Sequence, residues 1–178
     1  MSNAPLRLAA TILAALFALN FAGAQPKSVG AAFSFSGASL SYEHRIADDC
    51  FAHFSIKTEI GEYLMDRAEC PGYSASFAWN IILDSRESRN GNRIDIYAGP
   101  GLTAGKSRDF KKPEGYFFGL MCRLGFECSF SRNVIISAGI SPIIGSHMEI
   151  LSDSIRMTCF VSGLLNGIMP EIGIRYRF

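Results

Sequence analysis

From residue 28 to the C-terminus, apolar and polar residues change places at almost every step, and the alternation restarts after each cluster of turn-forming or charged residues. Val29, Ala31, Phe33 and Phe35 oppose Ser28, Gly30, Ala32 and Ser34. Leu40, Tyr42, His44 and Ile46 oppose Ser39, Ser41, Glu43 and Arg45. Ala52, Phe54, Ile56, Thr58 and Ile60 oppose His53, Ser55, Lys57 and Glu59. Tyr73, Ala75, Phe77, Trp79, Ile81 and Leu83 oppose Ser74, Ser76, Ala78 and Asn80. Ile94, Ile96, Ala98 and Leu102 oppose Asp95, Tyr97, Gly99, Gly101 and Thr103. Phe118, Leu120, Cys122, Leu124 and Phe126 oppose Gly119, Met121, Arg123, Gly125 and Glu127. Val134, Ile136, Ala138, Ile140 and Ile144 oppose Ser137, Gly139 and Ser141, and at the end Ile172, Ile174, Tyr176 and Phe178 oppose Glu171, Gly173, Arg175 and Arg177. A period of two is the mark of a strand with two unlike faces, so the chain reads as eight strands.

The connections alternate in length. Turns near 47–49 and 128–133 are short, whereas 61–71, 105–114 and 146–163 read as longer loops. The stretch 84–93 reads as a turn region around Asn90–Gly91, a hairpin dipeptide.

The first residues are a different object. Arg7 precedes the apolar run 8–19, and Ala22–Gly23–Ala24 stands before Gln25. A basic residue, a short apolar stretch and a small-x-small site read as a secretory signal peptide cleaved after Ala24. Residues 1–24 are thus expected to leave, and 25–178 to form one domain. Beyond Ala24 no segment reaches the ~18 consecutive apolar residues of a membrane helix. The whole chain has 17 Lys+Arg and 16 Asp+Glu, a balance that gives no reason to expect a nucleic-acid partner.

An exported chain with 48% hydrophobic residues and no membrane helix is either soluble around a large core or a barrel whose strands cross a bilayer. In lipid every backbone group must be paired, so a spanning sheet has to close on itself. Its apolar face then meets lipid and its polar face the lumen. The polar faces carry Glu43, Glu59, Asp95, Glu127 and Glu171 with Arg45, Lys57, Arg123, Arg175 and Arg177. Five acids against five bases is the balance a packed interior needs, because an uncompensated buried charge is strongly destabilising. An eight-stranded barrel is just wide enough for side chains to fill, so these ten residues are expected to plug the lumen. A soluble barrel with the faces reversed, binding an apolar ligand inside, is the competing arrangement. Pro100, Pro142 and Pro170 fit the strands poorly, since each removes a ladder donor.

The last eight residues, Glu171-Ile172-Gly173-Ile174-Arg175-Tyr176-Arg177-Phe178, resemble the C-terminal insertion signal of bacterial outer-membrane barrels. That resemblance implies that Gly173, Tyr176 and Phe178 are read by the barrel-assembly machinery. Four pieces resemble small outer-membrane β-barrel proteins of the Bacteroidetes type. They are Pro26-Lys27-Ser28-Val29-Gly30, Leu40-Ser41-Tyr42-Glu43-His44, Tyr97-Ala98-Gly99-Pro100-Gly101 and Gly173-Ile174-Arg175-Tyr176-Arg177-Phe178. They are spread over the whole length after residue 25. The implied architecture is an all-β, eight-stranded antiparallel up-and-down transmembrane barrel of the OmpA/OmpX kind. The implied place is the outer membrane, with structural or surface-interaction duties and a monomeric state. The implied partners are outer-membrane lipid and lipopolysaccharide.

Chemistry-bearing motifs are few. Gly99 to Ser107 superficially resembles a phosphate loop, but Pro100 occupies the position that needs the first Gly, and no helical pattern follows. Of the five cysteines, Cys50, Cys70, Cys122, Cys128 and Cys159, none forms a C-x-x-C pair, which argues against zinc. Cys70 and Cys159 fall in two loops on the same side and form the candidate disulfide, the odd count leaving at least one thiol over. Ser146, His147 and Glu149 lie close together in the last loop, as residue types able to perform acyl transfer. A lipid A-modifying enzyme is therefore the alternative to a non-enzymatic barrel, and a small pore is another. Lys106, Arg108, Lys111 and Lys112 give loop 105–114 a basic character suited to anionic lipid headgroups. No cofactor is expected.

Overall fold

In the computed structural model, the described residues are 26–34, 37–59, 72–88, 91–107, 115–130, 133–151, 154–159 and 170–178. The expected signal peptide and Cys70 lie outside them, as does every residue of 108–114. The described residues contain strands and no helix: β1 (Lys27–Ser34), β2 (Gly37–Ala47), β3 (Cys50–Glu59), β4 (Gly72–Glu87), β5 (Arg93–Ser107), β6 (Gly115–Ser129), β7 (Val134–Ile140), β8 (Ile143–Leu151), β9 (Ser154–Cys159) and β10 (Glu171–Arg177). Each strand pairs antiparallel with the next from β1 to β6, and β10 returns to β1 to close an eight-stranded barrel.

Ten elements make eight staves because the last two staves are each interrupted. β6 pairs with β7 through Leu124↔Ile140 and with β8 through Met121↔Ile143, in one unbroken register. The Cys122 amide donates to the Pro142 carbonyl at 3.1 Å between them. The seventh stave is therefore continuous along β6, and the break marks Pro142, which has no N–H for the ladder. The eighth stave is β9 followed by β10. Cys159 pairs with Ser146 of β8 and Glu171 with Gly139 of β7.

Two departures from the sequence reading concern this region and the opposite end. The described residues of the expected loop 146–163 are strand: β8 runs to Leu151, and β9 pairs with it antiparallel. β6, fifteen residues long, offers Tyr116 to Met121 as partners for β8, and that ladder carries the strand on through Gly145, Ser146 and His147, where the apolar row fades. Residues 84–87 are likewise strand, and the hairpin turn shrinks to the residues around Gly91. Gly91 has φ 77°, a left-handed conformation natural to glycine, and its amide donates to the Ser88 carbonyl at 2.9 Å. The 105–114 loop also begins later, since β5 runs to Ser107.

The ladder traced from Arg177 passes Ser28, Glu43, His53, Ala78, Gly101 and Met121 and reaches the seventh stave at Ile143. Ile143 lies four residues beyond the partner of Glu171, itself six residues above Arg177, so one circuit climbs ten residues. That stagger is the shear of a barrel with tilted strands. It leaves β1 at eight residues while β4 to β6 have fifteen or sixteen. The wall is thus low at the β1–β2 hairpin and tall around β4 to β8, at the end away from the termini.

Candidate functional site: the lumen and the outer wall

The side chains are sorted inside out. Among the described residues, sixteen buried side chains are polar or charged and seven are apolar, whereas twenty-five large apolar side chains are exposed. Leu40, Ile56, Leu83, Leu120 and Ile144 are each at least 60% exposed. Water-soluble proteins rarely carry contiguous apolar surface on this scale. Tyr73 and Tyr116 stand outward on the tall side, and Phe130, Tyr176 and Phe178 stand outward near the termini. Aromatic rows at both borders of an apolar band are the girdles of a membrane barrel.

Inside, the half of the lumen near the termini is filled by one ion network. Glu43 of β2 is its centre. Its Oε1 accepts from His53 Nδ1 of β3 at 2.8 Å, from Arg123 Nη1 of β6 at 3.4 Å, and from Arg175 Nη1 of β10. Arg175 Nη2 also donates to Glu127 of β6. Arg123 reaches Glu171 at 3.6 Å. Arg45 pairs with Asp95 of β5 at 3.0 Å and lies 3.9 Å from Glu127. Asp95 is held from its other side by Arg93 Nε at 2.7 Å and the Ser85 hydroxyl at 2.6 Å. Four carboxylates and four guanidiniums thereby link β2, β5, β6 and β10 across the lumen. Charge-assisted bonds of this kind are the strong ones, and their mutual satisfaction is what makes burial tolerable.

Aromatic rings cap the network. Tyr97 is buried, with Phe51 edge-on at 5.2 Å and the Arg123 guanidinium 5.2 Å from its ring centre. Gly125 makes room for that ring, since a Cβ there would lie 2.6 Å from the Tyr97 hydroxyl oxygen. At the mouth near the termini a cavity of about 20 Å³ lies beside Lys27, Glu43, Arg45, Phe51 and Arg177. That is room for about one water.

Of the ten residues singled out by the sequence, Glu43, Arg45, Asp95, Arg123, Glu127, Glu171 and Arg175 meet in this network. Arg177 faces inward and donates to the Ser129 hydroxyl at 3.3 Å. Lys57 is half-buried and stands between Ser39 and Ser74. The side chain of Glu59 lies outside the description. Three contributors escaped the sequence reading of the plug: His53, Arg93 and Ser85. A β-bulge between Ile82 and Asp84 changes which residues of β4 face inward and sets Ser85 opposite Asp95. An extra residue in a strand switches faces in this way, and nothing in the alternation announces it.

The remaining candidates are scattered. Gly173 faces the lumen, whereas Tyr176 and Phe178 point outward; Phe178 exchanges backbone hydrogen bonds with Lys27, tying the end of the chain to its first strand. The expected Cys70–Cys159 pair lies outside the description, because Cys70 is not among the described residues and the side chain of Cys159 is not described. Ser146 and His147 are neighbours in β8 and therefore point to opposite faces. His147 is 1% exposed on the lumen side, and Ser146 lines the outer wall beside Ile144. The two cannot share a proton through a direct contact, which removes the basis for an acyl-transfer trio in a loop. Among the described residues no cluster of His, Cys, Asp and Glu is arranged to hold a metal.

No protein-family model matches the sequence, and no curated protein matches it. Solved structures do resemble it. The N-terminal β-barrel domain of OprF from Pseudomonas aeruginosa aligns over 86% of this chain and 96% of its own, at 13% identity and a TM-score of 0.51. A major outer membrane protein from Thermus thermophilus aligns over 88% and 100%, at 13% identity and 0.49. Neisserial surface protein A aligns over 86% and 95%, at 14% identity and 0.41. At such identity the likeness to the OprF domain is one of fold, and the fold is the closed antiparallel eight-stranded β-barrel.

Proposed function

We propose that the protein is an integral outer-membrane β-barrel that acts as a non-enzymatic structural or surface-interaction element, its lumen closed by the Glu43-centred ion network. The observation that carries this reading is the inverted sorting of side chains, apolar outward in a band between aromatic rows and charged inward. A sheet of this kind is stable only where its outer face is solvated by lipid and its inner charges by one another. The terminal Tyr176 and Phe178, exposed on the last strand, suit delivery by the barrel-assembly machinery. The tall rim around β4 to β8 faces away from the termini. In barrels with short periplasmic turns that is the extracellular side, where contact with other surfaces takes place.

A small open pore is the reading most directly opposed. It is disfavoured by the linking of opposite walls through Arg175 and Arg45. Purified protein reconstituted in a planar bilayer is expected to show no stable conductance steps. Persistent open-channel currents that vary with protein amount would overturn the closed-lumen reading.

A further inference from the structure

The ion network leaves one positive charge over. In the half of the lumen near the termini, the guanidiniums of Arg45, Arg93, Arg123, Arg175 and Arg177 face the carboxylates of Glu43, Asp95, Glu127 and Glu171. Each carboxylate already has a guanidinium partner. Arg177 is the surplus. Among the described residues no carboxylate pairs with it, and its guanidinium donates to the Ser129 hydroxyl at 3.3 Å.

That surplus borders a cavity. The space of about 20 Å³ at the inner mouth is lined by Arg177 of β10, Arg45 of β2 and Ser28 of β1. The register explains why they meet. Ser28 is paired with Arg177 on one side and with Glu43 on the other, and Arg45 lies two residues from Glu43 on the same face. Ser28 is 4% exposed, and its hydroxyl makes no hydrogen bond to another described residue. Buried hydroxyls are seldom left unmatched, and this one adjoins the cavity. Glu43 and Glu127 border the cavity too, but Arg175 donates to both.

We propose that this cavity holds one monovalent, monatomic anion, chloride in ordinary salt, between the guanidiniums of Arg45 and Arg177 and the hydroxyl of Ser28. Charge argues for an anion. Two guanidiniums beside one cavity repel each other unless a negative charge lies between them, and a charge in a closed lumen needs a partner. Donors are available, because Arg45 and Arg177 each use Nη2 for their bonds within the protein and keep other N–H groups. Size selects the ion: a space for about one water admits a halide and excludes sulfate, phosphate or a carboxylate. A water there would match Ser28 and leave the surplus charge unanswered. The site goes beyond the closed-lumen reading and needs only the barrel: conductance in a bilayer together with a chloride effect would defeat that reading and leave the site standing.

The test is urea unfolding of the barrel in phosphatidylcholine vesicles, prepared as chloride replaces gluconate at one ionic strength so that screening stays constant. Emission of Trp79 gives the midpoint. The midpoint is expected to rise with chloride and to level off as one site fills. Arg177→Gln should abolish the rise, and Ser28→Ala should require about fivefold more chloride for half of it. Lys57→Gln removes a lumen charge away from the cavity and should keep the full rise. A wild-type midpoint indifferent to chloride would overturn the proposal, as would an equal rise in Arg177→Gln. Should Arg177→Gln fail to give the unheated band of a closed barrel, crystals of the wild type in sodium bromide decide. An anomalous peak beside Ser28 and Arg177 is then expected, and its absence overturns the site.

Discussion

Glu43→Ala is expected to destabilise the barrel by about 3–5 kcal/mol, the range for removing one partner from a buried ion network. The carboxylate accepts from His53, Arg123 and Arg175, and its removal leaves Arg175 with Glu127 alone and Arg123 with Glu171 at 3.6 Å. Arg123 and Arg175 are 4% and 3% exposed, so water does not replace the lost partner. Urea titration in lipid vesicles measures the effect, and the single tryptophan makes it easy to read. Trp79 lies on the lipid face at 41% exposure, so its emission reports departure from the membrane and does not report the lumen. A loss below about 1 kcal/mol, the scale of an exposed pair, would mean that Glu43 is solvated and that the network is not a plug.

Ile174→Arg probes the other face. Ile174 is 55% exposed between Ala31 of β1 and Ile136 of β7, one residue before the buried Arg175. A basic group on the lipid side costs about 2–4 kcal/mol at mid-membrane and about 0–1 near an interface, which puts Ile174, two residues from the border aromatic Tyr176, at about 1–2 kcal/mol. The same vesicle titration should therefore show a loss in that range, although the next residue is already an arginine. The contrast is the point: a strand turns successive side chains to opposite faces, so charge is tolerated at 175 and refused at 174. An Ile174→Arg protein as stable as the wild type would mean that this face is in water.

Much of the fold is legible in the sequence because a membrane barrel imposes the alternation on every stave. Val29 to Phe33, Phe118 to Phe126 and Ile172 to Phe178 can be assigned to faces without coordinates, and so can the inward acids and bases. What escapes is whatever breaks the period. The bulge after Ile82 flips β4, so Ser85 reaches Asp95 although plain alternation would turn it outward. Arg93 sits in a stretch that reads as turn, yet it is two residues from Asp95 and on the same face. Gly145, Ser146 and His147 lack an apolar row, and their strand is maintained by the ladder to β6, a long-range fact that no local pattern carries. Pairing of Glu43 with Arg175 across the lumen is of the same kind, since the two residues are 132 positions apart. The sequence supplies both charges, and the closure of β10 on β1 brings them together.

The most direct measurement is fractionation of cells producing the protein, with carbonate extraction of the membranes, followed by gel electrophoresis of unheated and boiled samples. A membrane-spanning barrel stays with the outer membrane after carbonate, and its unheated band migrates differently from the boiled one. A protein released by carbonate, with one mobility under both conditions, would contradict the lipid-facing assignment of its apolar side chains and with it the account of the lumen.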